Sequence, residues 1–82
     1  MKNNILVVDD EKDIRSSIAG LLEDENYQVR VAKNSDEALD AISKMVPDLV
    51  LLDIWLENSK LDGLGLLDEI NSKFISVPCI MI

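Results

Sequence analysis

Ile5-Leu6-Val7-Val8 is an unbroken apolar run closed by Asp9-Asp10, the pattern of a strand buried on both faces. From Glu11 to Glu25 the period lengthens. Ile14, Ile18, Leu21 and Leu22 recur at helical spacing, and Asp10 or Glu11 stands where a cap is needed. Tyr27-Gln28-Val29-Arg30-Val31 then alternates strictly, which predicts a strand with one face or one edge in water. Asn34 and Glu37 have capping-box spacing ahead of a helical stripe of Ala38, Leu39, Ile42 and Met45, and Pro47 ends that helix. Leu49-Val50-Leu51-Leu52 repeats the first strand and closes on Asp53. After a loop from Ile54 to Asp62, Leu66, Leu67, Ile70 and Phe74 mark a third helix with Asp62 as its cap. Residues 77–82 read as a fourth strand that tolerates Pro78 near its start.

The order βαβαβαβ predicts an α/β fold, a parallel sheet with helices on both faces and right-handed crossovers. Two topologies compete. The alternating second strand favours an edge position and the order 2-1-3-4, an incomplete flavodoxin-like doubly wound sheet. In that order the switch point lies between strands one and three. Both end in aspartate, so Asp9, Asp10 and Asp53 converge in the crevice where such sheets bind ligands, their strands about 4.8 Å apart. Taken alone, Asp9-Asp10 needs no explanation beyond polar residues that end a strand and cap a helix. Its placement opposite a second strand-end aspartate, in a chain with no competing His, Cys or Ser constellation, turns the pair into a candidate site. Three carboxylates in so small a space repel one another, and a hard divalent ion such as Mg²⁺ relieves the repulsion.

Composition narrows the reading. The chain has 82 residues, 48% of them hydrophobic, enough for one small globular domain that buries roughly 60–65% of its unfolded surface. A formal net charge of −8 is the opposite of a nucleic-acid or anionic-membrane footprint, so this chain is expected to bind neither. The lone cysteine, Cys79, sits in an apolar run, offers no disulfide framework, and is expected to be a core thiol. Met1-Lys2-Asn3-Asn4 leads directly into the first strand. No apolar stretch approaches a signal sequence or membrane span, and a cytoplasmic location is expected.

Two segments, Ile5 to Glu11 and Leu49 to Ile54, together with Asp62-Gly63, resemble the receiver domains of two-component response regulators over the whole chain. The stretch from Asp53 to Ile70, with Trp55-Leu56 and Leu61-Asp62-Gly63-Leu64, is similar to the NtrX-type nitrogen-regulation response regulators, which implies a role in transcription regulation. The resemblance implies that Asp53 is the phosphoacceptor, attacking the phosphohistidine of a sensor histidine kinase as a covalent nucleophile. It also implies that Asp10 and Asp53 ligate Mg²⁺ directly, Asp9 through water, and the backbone carbonyl of Trp55 as a further ligand. On this reading the chain is a signalling module rather than an enzyme.

The resemblance has departures. Trp55-Leu56 stands where receivers often carry methionine-proline, and extra residues precede Asp62-Gly63. The indole of Trp55 is expected either to pack under the loop or to serve recognition. Residues 1–82 read as the N-terminal portion of one receiver domain, with no effector or DNA-binding domain. The receiver pattern would continue past Ile82 into a Ser/Thr, a helix, a strand bearing lysine and a last helix. Phosphorylation of this chain alone is therefore expected to be slow and poorly transmitted. Its fourth strand, exposed as an edge, is expected to favour a homodimer or an assembly that exchanges elements between chains. Two other functions remain open. A haloacid-dehalogenase-like phosphohydrolase also begins from such an aspartate but expects a second acid two residues on, where Trp55 stands. A non-phosphorylated interaction module is the other.

Overall fold

The structure is a computed structural model that describes residues 3–74 and 76–82. Met1 and Lys2, read as a lead-in to the first strand, lie outside the described residues. Among these, four strands and three helices alternate: β1 (Asn4–Val8), α1 (Lys12–Asp24), β2 (Gln28–Ala32), α2 (Ser35–Lys44), β3 (Leu49–Leu52), α3 (Gly63–Lys73) and β4 (Cys79–Met81). The strands form one parallel sheet in the order β2-β1-β3-β4, as the pattern predicts.

The core lies chiefly on one face of the sheet, where Leu6, Val8, Val50 and Leu52 meet Ala38 and Ile42 of α2 and Leu66 and Ile70 of α3. The alternate positions of the central strands meet different surroundings. Ile5 and Val7 are buried, but Leu49 and Leu51 are only half-buried, so β3 is not enclosed on both faces as its unbroken apolar run suggests. Helix α1 fully buries none of its residues, and Ile14 and Leu21 of its predicted stripe are exposed.

Helix starts follow the sequence where a side chain can reach the first turn. The Asn34 side chain accepts the Glu37 N–H at 2.9 Å, and the Asp62 side chain accepts the Gly65 N–H at 2.8 Å. Glu37 reaches back to the Lys33 N–H rather than to the cap residue itself, a shifted form of the capping box. At α1 the cap residue is Glu11, which makes no side-chain cap, and Asp10 does not supply one either. The Asp9 carboxylate instead accepts the Glu11 N–H at 2.9 Å.

Arg30 departs from the alternation of β2. It folds over the end of α2, donating to the carbonyl of Ala41 at 2.7 Å, which also accepts the Met45 N–H, and to the carbonyl of Met45 at 2.5 Å, just past the last turn. Cys79 is half-buried rather than enclosed, and burial raises its thiol pKa.

Candidate functional site

Register brings the strand-end acids together. Val8 pairs with Leu52, and the ladder continues one step beyond both strands: the Asp53 N–H donates to the Val8 carbonyl at 3.0 Å, and the Asp9 N–H to the Ala32 carbonyl at 3.1 Å. Asp9 and Asp53 are thus fixed by backbone bonds on adjacent strands, with Asp10 next in the chain. One carboxylate oxygen from each of Asp9, Asp10 and Asp53 lies within 4.8 Å of the others. The sequence-predicted carboxylates therefore converge.

The two strand ends share a local device. Asp9 Oδ1 accepts the N–H of Glu11, two residues on, and Asp53 Oδ1 accepts the N–H of Trp55, also two residues on, at 3.0 Å. Each bond holds one carboxylate oxygen at the mouth of its turn. Among the described residues the Asp10 carboxylate accepts no hydrogen bond.

Asp9 is buried and Asp10 and Asp53 are half-buried. Burial pushes the Asp9 carboxyl above its ordinary pKa; the Glu11 N–H opposes this, the Asp53 and Asp10 charges add to it, and Arg15 opposes it. Arg15 does not neutralise the cluster, because its guanidinium donates to the Asp9 carbonyl at 2.8 Å. The ion pairs Lys33–Glu37, Lys44–Asp40 and Lys73–Glu69 are exposed and lie within α2, before it or within α3. A crowded, oxygen-only donor set with partial burial and, among the described residues, no paired cation fits a hard divalent ion that keeps some of its water.

The loop from Asp53 to Asp62 settles one alternative. Trp55 is 80% exposed, so it does not pack under the loop; Leu56 does, at 5% exposure and within the core. The Trp55 N–H is turned onto Asp53 while the next side chain, Leu56, is the one directed inward. The loop's exit meets its entry at Gly63, where a Cβ would stand 2.4 Å from the Asp53 carbonyl oxygen and 2.7 Å from that of Ile54. Only glycine permits that approach.

Sequence reasoning missed Leu56, Ser35 and Ser59 as parts of this loop. Fully buried Ser35 accepts the Leu61 N–H at 3.1 Å, and its own N–H donates to Ser59 Oγ at 2.8 Å. A serine directly after a cap residue carries no signal of a partner 24 positions away. Leu56 shares the loop with three other apolar residues, Ile54, Trp55 and Leu61, and spacing alone does not separate it from its exposed neighbours Ile54 and Trp55.

Comparison with known proteins gives a consistent picture. Residues 5–82 match the response regulator receiver domain family. The nitrogen assimilation regulatory protein NtrX of Azorhizobium caulinodans is 51% identical over 82 residues, covering 100% of this chain and 18% of that protein. The chain therefore spans less than a fifth of the length of that curated relative. The crystal structure of the receiver domain of NtrX from Brucella abortus superposes with a TM-score of 0.92 at 55% identity, covering 94% of this chain and 64% of that one. Response regulator TrrA from Thermotoga maritima, solved in complex with Mg²⁺-BeF, gives a TM-score of 0.89 at 38% identity, with coverage of 99% and 68%. The match from the first strand to the last residue, on a sheet of the same order, means that this chain belongs to the receiver domains of two-component response regulators.

Proposed function

We propose that Asp53 is the phosphoacceptor of this receiver and takes its phosphoryl group from a phosphohistidine on a sensor histidine kinase. The observation that carries the reading is the meeting of the Asp9, Asp10 and Asp53 carboxylates within 4.8 Å at the switch point of the sheet. Asp10 and Asp53 would hold Mg²⁺ directly, Asp9 would hold it through water, and the Trp55 carbonyl would add a ligand. The Mg²⁺-BeF complex of TrrA supports this choice of metal. Bound Mg²⁺ supplies positive charge against the phosphoryl oxygens, the main requirement of phosphoryl transfer.

The chain's own part is the nucleophile. The Trp55 N–H holds Asp53 Oδ1, leaving the second carboxylate oxygen to attack phosphorus in line. The new O–P bond forms as the P–N bond to the kinase imidazole breaks, and the product is an aspartyl acyl phosphate.

All 82 residues are read as part of one receiver domain, with no effector or DNA-binding domain among them. Its output is read as control of nitrogen assimilation, following the name of the Azorhizobium relative, and as transcriptional and cytoplasmic, as the resemblance to response regulators implies. Among the described residues, no helix is long and apolar enough to cross a membrane. This 82-residue chain is also read as self-associating along β4, an edge strand with Ile80 half exposed and Ile82 just beyond it exposed. Light scattering that finds only monomer at high concentration contradicts that pairing.

The test of the principal reading is intact mass after incubation with acetyl phosphate and Mg²⁺. Addition of one phosphoryl group, lost with a chelator and in Asp53→Asn, is the expected result. A chain that stays unmodified, or that releases phosphate from small phosphoesters with turnover, contradicts it.

A further inference from the structure

Residues 53–63 form a closed loop whose entry and exit touch, because Gly63 abuts the backbone of Asp53 and Ile54. Compact loops of this kind are held by their own packing, and their motion is concentrated at the tip. The near side is anchored twice, by the Trp55 N–H on Asp53 and by Leu56 in the core. The tip carries Asn58 with φ of 49°, followed by Ser59. Beyond that turn, a reciprocal pair joins the loop to the first turn of α2. The Ser35 N–H donates to Ser59 Oγ, and Ser35 Oγ accepts the Leu61 N–H. Ser35 is fully buried, so water cannot replace the bond its Oγ accepts from the Leu61 N–H.

We propose that Ser35 and Ser59 are positioning residues for the metal: their latch stops the loop from hinging about Gly63 and thereby fixes the Trp55 peptide against the acidic cluster. The inference rests on the Mg²⁺ reading given above and adds to it residues that touch neither metal nor phosphoryl group. Ser59 acts at the far end of the loop from Trp55, and its influence travels through a short chain segment closed at both ends. The same latch also caps α2, because the Ser35 N–H belongs to the first turn, where no intrahelical acceptor exists. Loss of the latch therefore has two separable consequences, one for folding and one for the site.

Isothermal titration with MgCl₂ separates them. Ser59→Ala and Ser35→Ala are expected to bind Mg²⁺ about tenfold more weakly than the wild type, the range seen when groups that orient a metal ligand are removed. Ser59→Thr keeps the acceptor oxygen and is expected to restore wild-type affinity. Urea unfolding reports independently the helix-cap loss in Ser59→Ala and the loss of the bond to the Leu61 N–H in Ser35→Ala, and titrations are run where every variant is folded. A lower unfolding midpoint with unchanged Mg²⁺ affinity overturns the inference and leaves the latch as a helix cap only. Asp10→Asn is the control for the underlying reading. If the wild type shows no Mg²⁺ binding that Asp10→Asn removes, the pocket reading fails and takes this inference with it. If Asp10→Asn abolishes binding while both alanine variants bind as the wild type does, the inference alone fails.

Discussion

The two connections that carry the acidic site start alike and end differently. After β1, Asp9 accepts an N–H two residues on, and the chain enters α1 three residues past Asp9. After β3, Asp53 makes the same bond, but α3 starts only at Gly63, ten residues past Asp53. The shared turn places the carboxylates. The extra length of the second connection adds Leu56 as a plug in the core, Trp55 as an exposed ring beside the site, and a latch to α2. One connection is a minimal holder of acids; the other holds an acid and also presents a surface. Placement and presentation are therefore separable, and substitutions should divide along that line.

The largest expected effect falls on placement: Asp53→Asn abolishes phosphoryl uptake from a small-molecule donor, read by intact mass, while the fold seen by far-UV circular dichroism stays intact. Next, Asp10→Asn weakens Mg²⁺ by at least ~10-fold in isothermal titration, because it removes a direct ligand rather than a supporting group. On the side of presentation, Leu56→Ala costs about 2–4 kcal/mol in urea unfolding, the price of a cavity in a well-packed core.

Asp9→Asn sharpens the comparison by reversing sign. Asp9 is buried between two other carboxylates, so its charge opposes folding when no ion is bound. Asparagine keeps an oxygen for the Glu11 N–H, and the ion-free variant is expected to gain about 1 kcal/mol of stability while binding Mg²⁺ more weakly. A loss of stability in that variant breaks the view of the cluster as self-repulsive. Smallest of all, Trp55→Ala changes unfolding free energy by no more than about 0.5 kcal/mol, as expected for an exposed side chain.

The same division describes what the sequence makes legible. Strand-end acids, the order of elements, the edge position of β2 and the caps at Asn34 and Asp62 follow from local periodicity and from side chains that bond within three residues. The indole of Trp55 and the burial of Leu56 do not. Which of two adjacent apolar residues turns inward depends on the direction of the backbone through the loop rather than on composition. The Ser35–Ser59 pair joins residues 24 apart through single hydrogen bonds, and no periodicity announces it. The half-covered state of Leu49 and Leu51 is likewise invisible in a run that reads the same as Ile5 to Val8.

The account turns on Asp53, rather than Asp9 or Asp10, as the residue that carries the phosphoryl group. Borohydride reduction of the chain after treatment with acetyl phosphate converts an aspartyl phosphate to homoserine, which peptide sequencing locates. Homoserine at position 53 alone, formed only with Mg²⁺ present, is the predicted result; homoserine at position 9 or 10, or none at position 53, contradicts it.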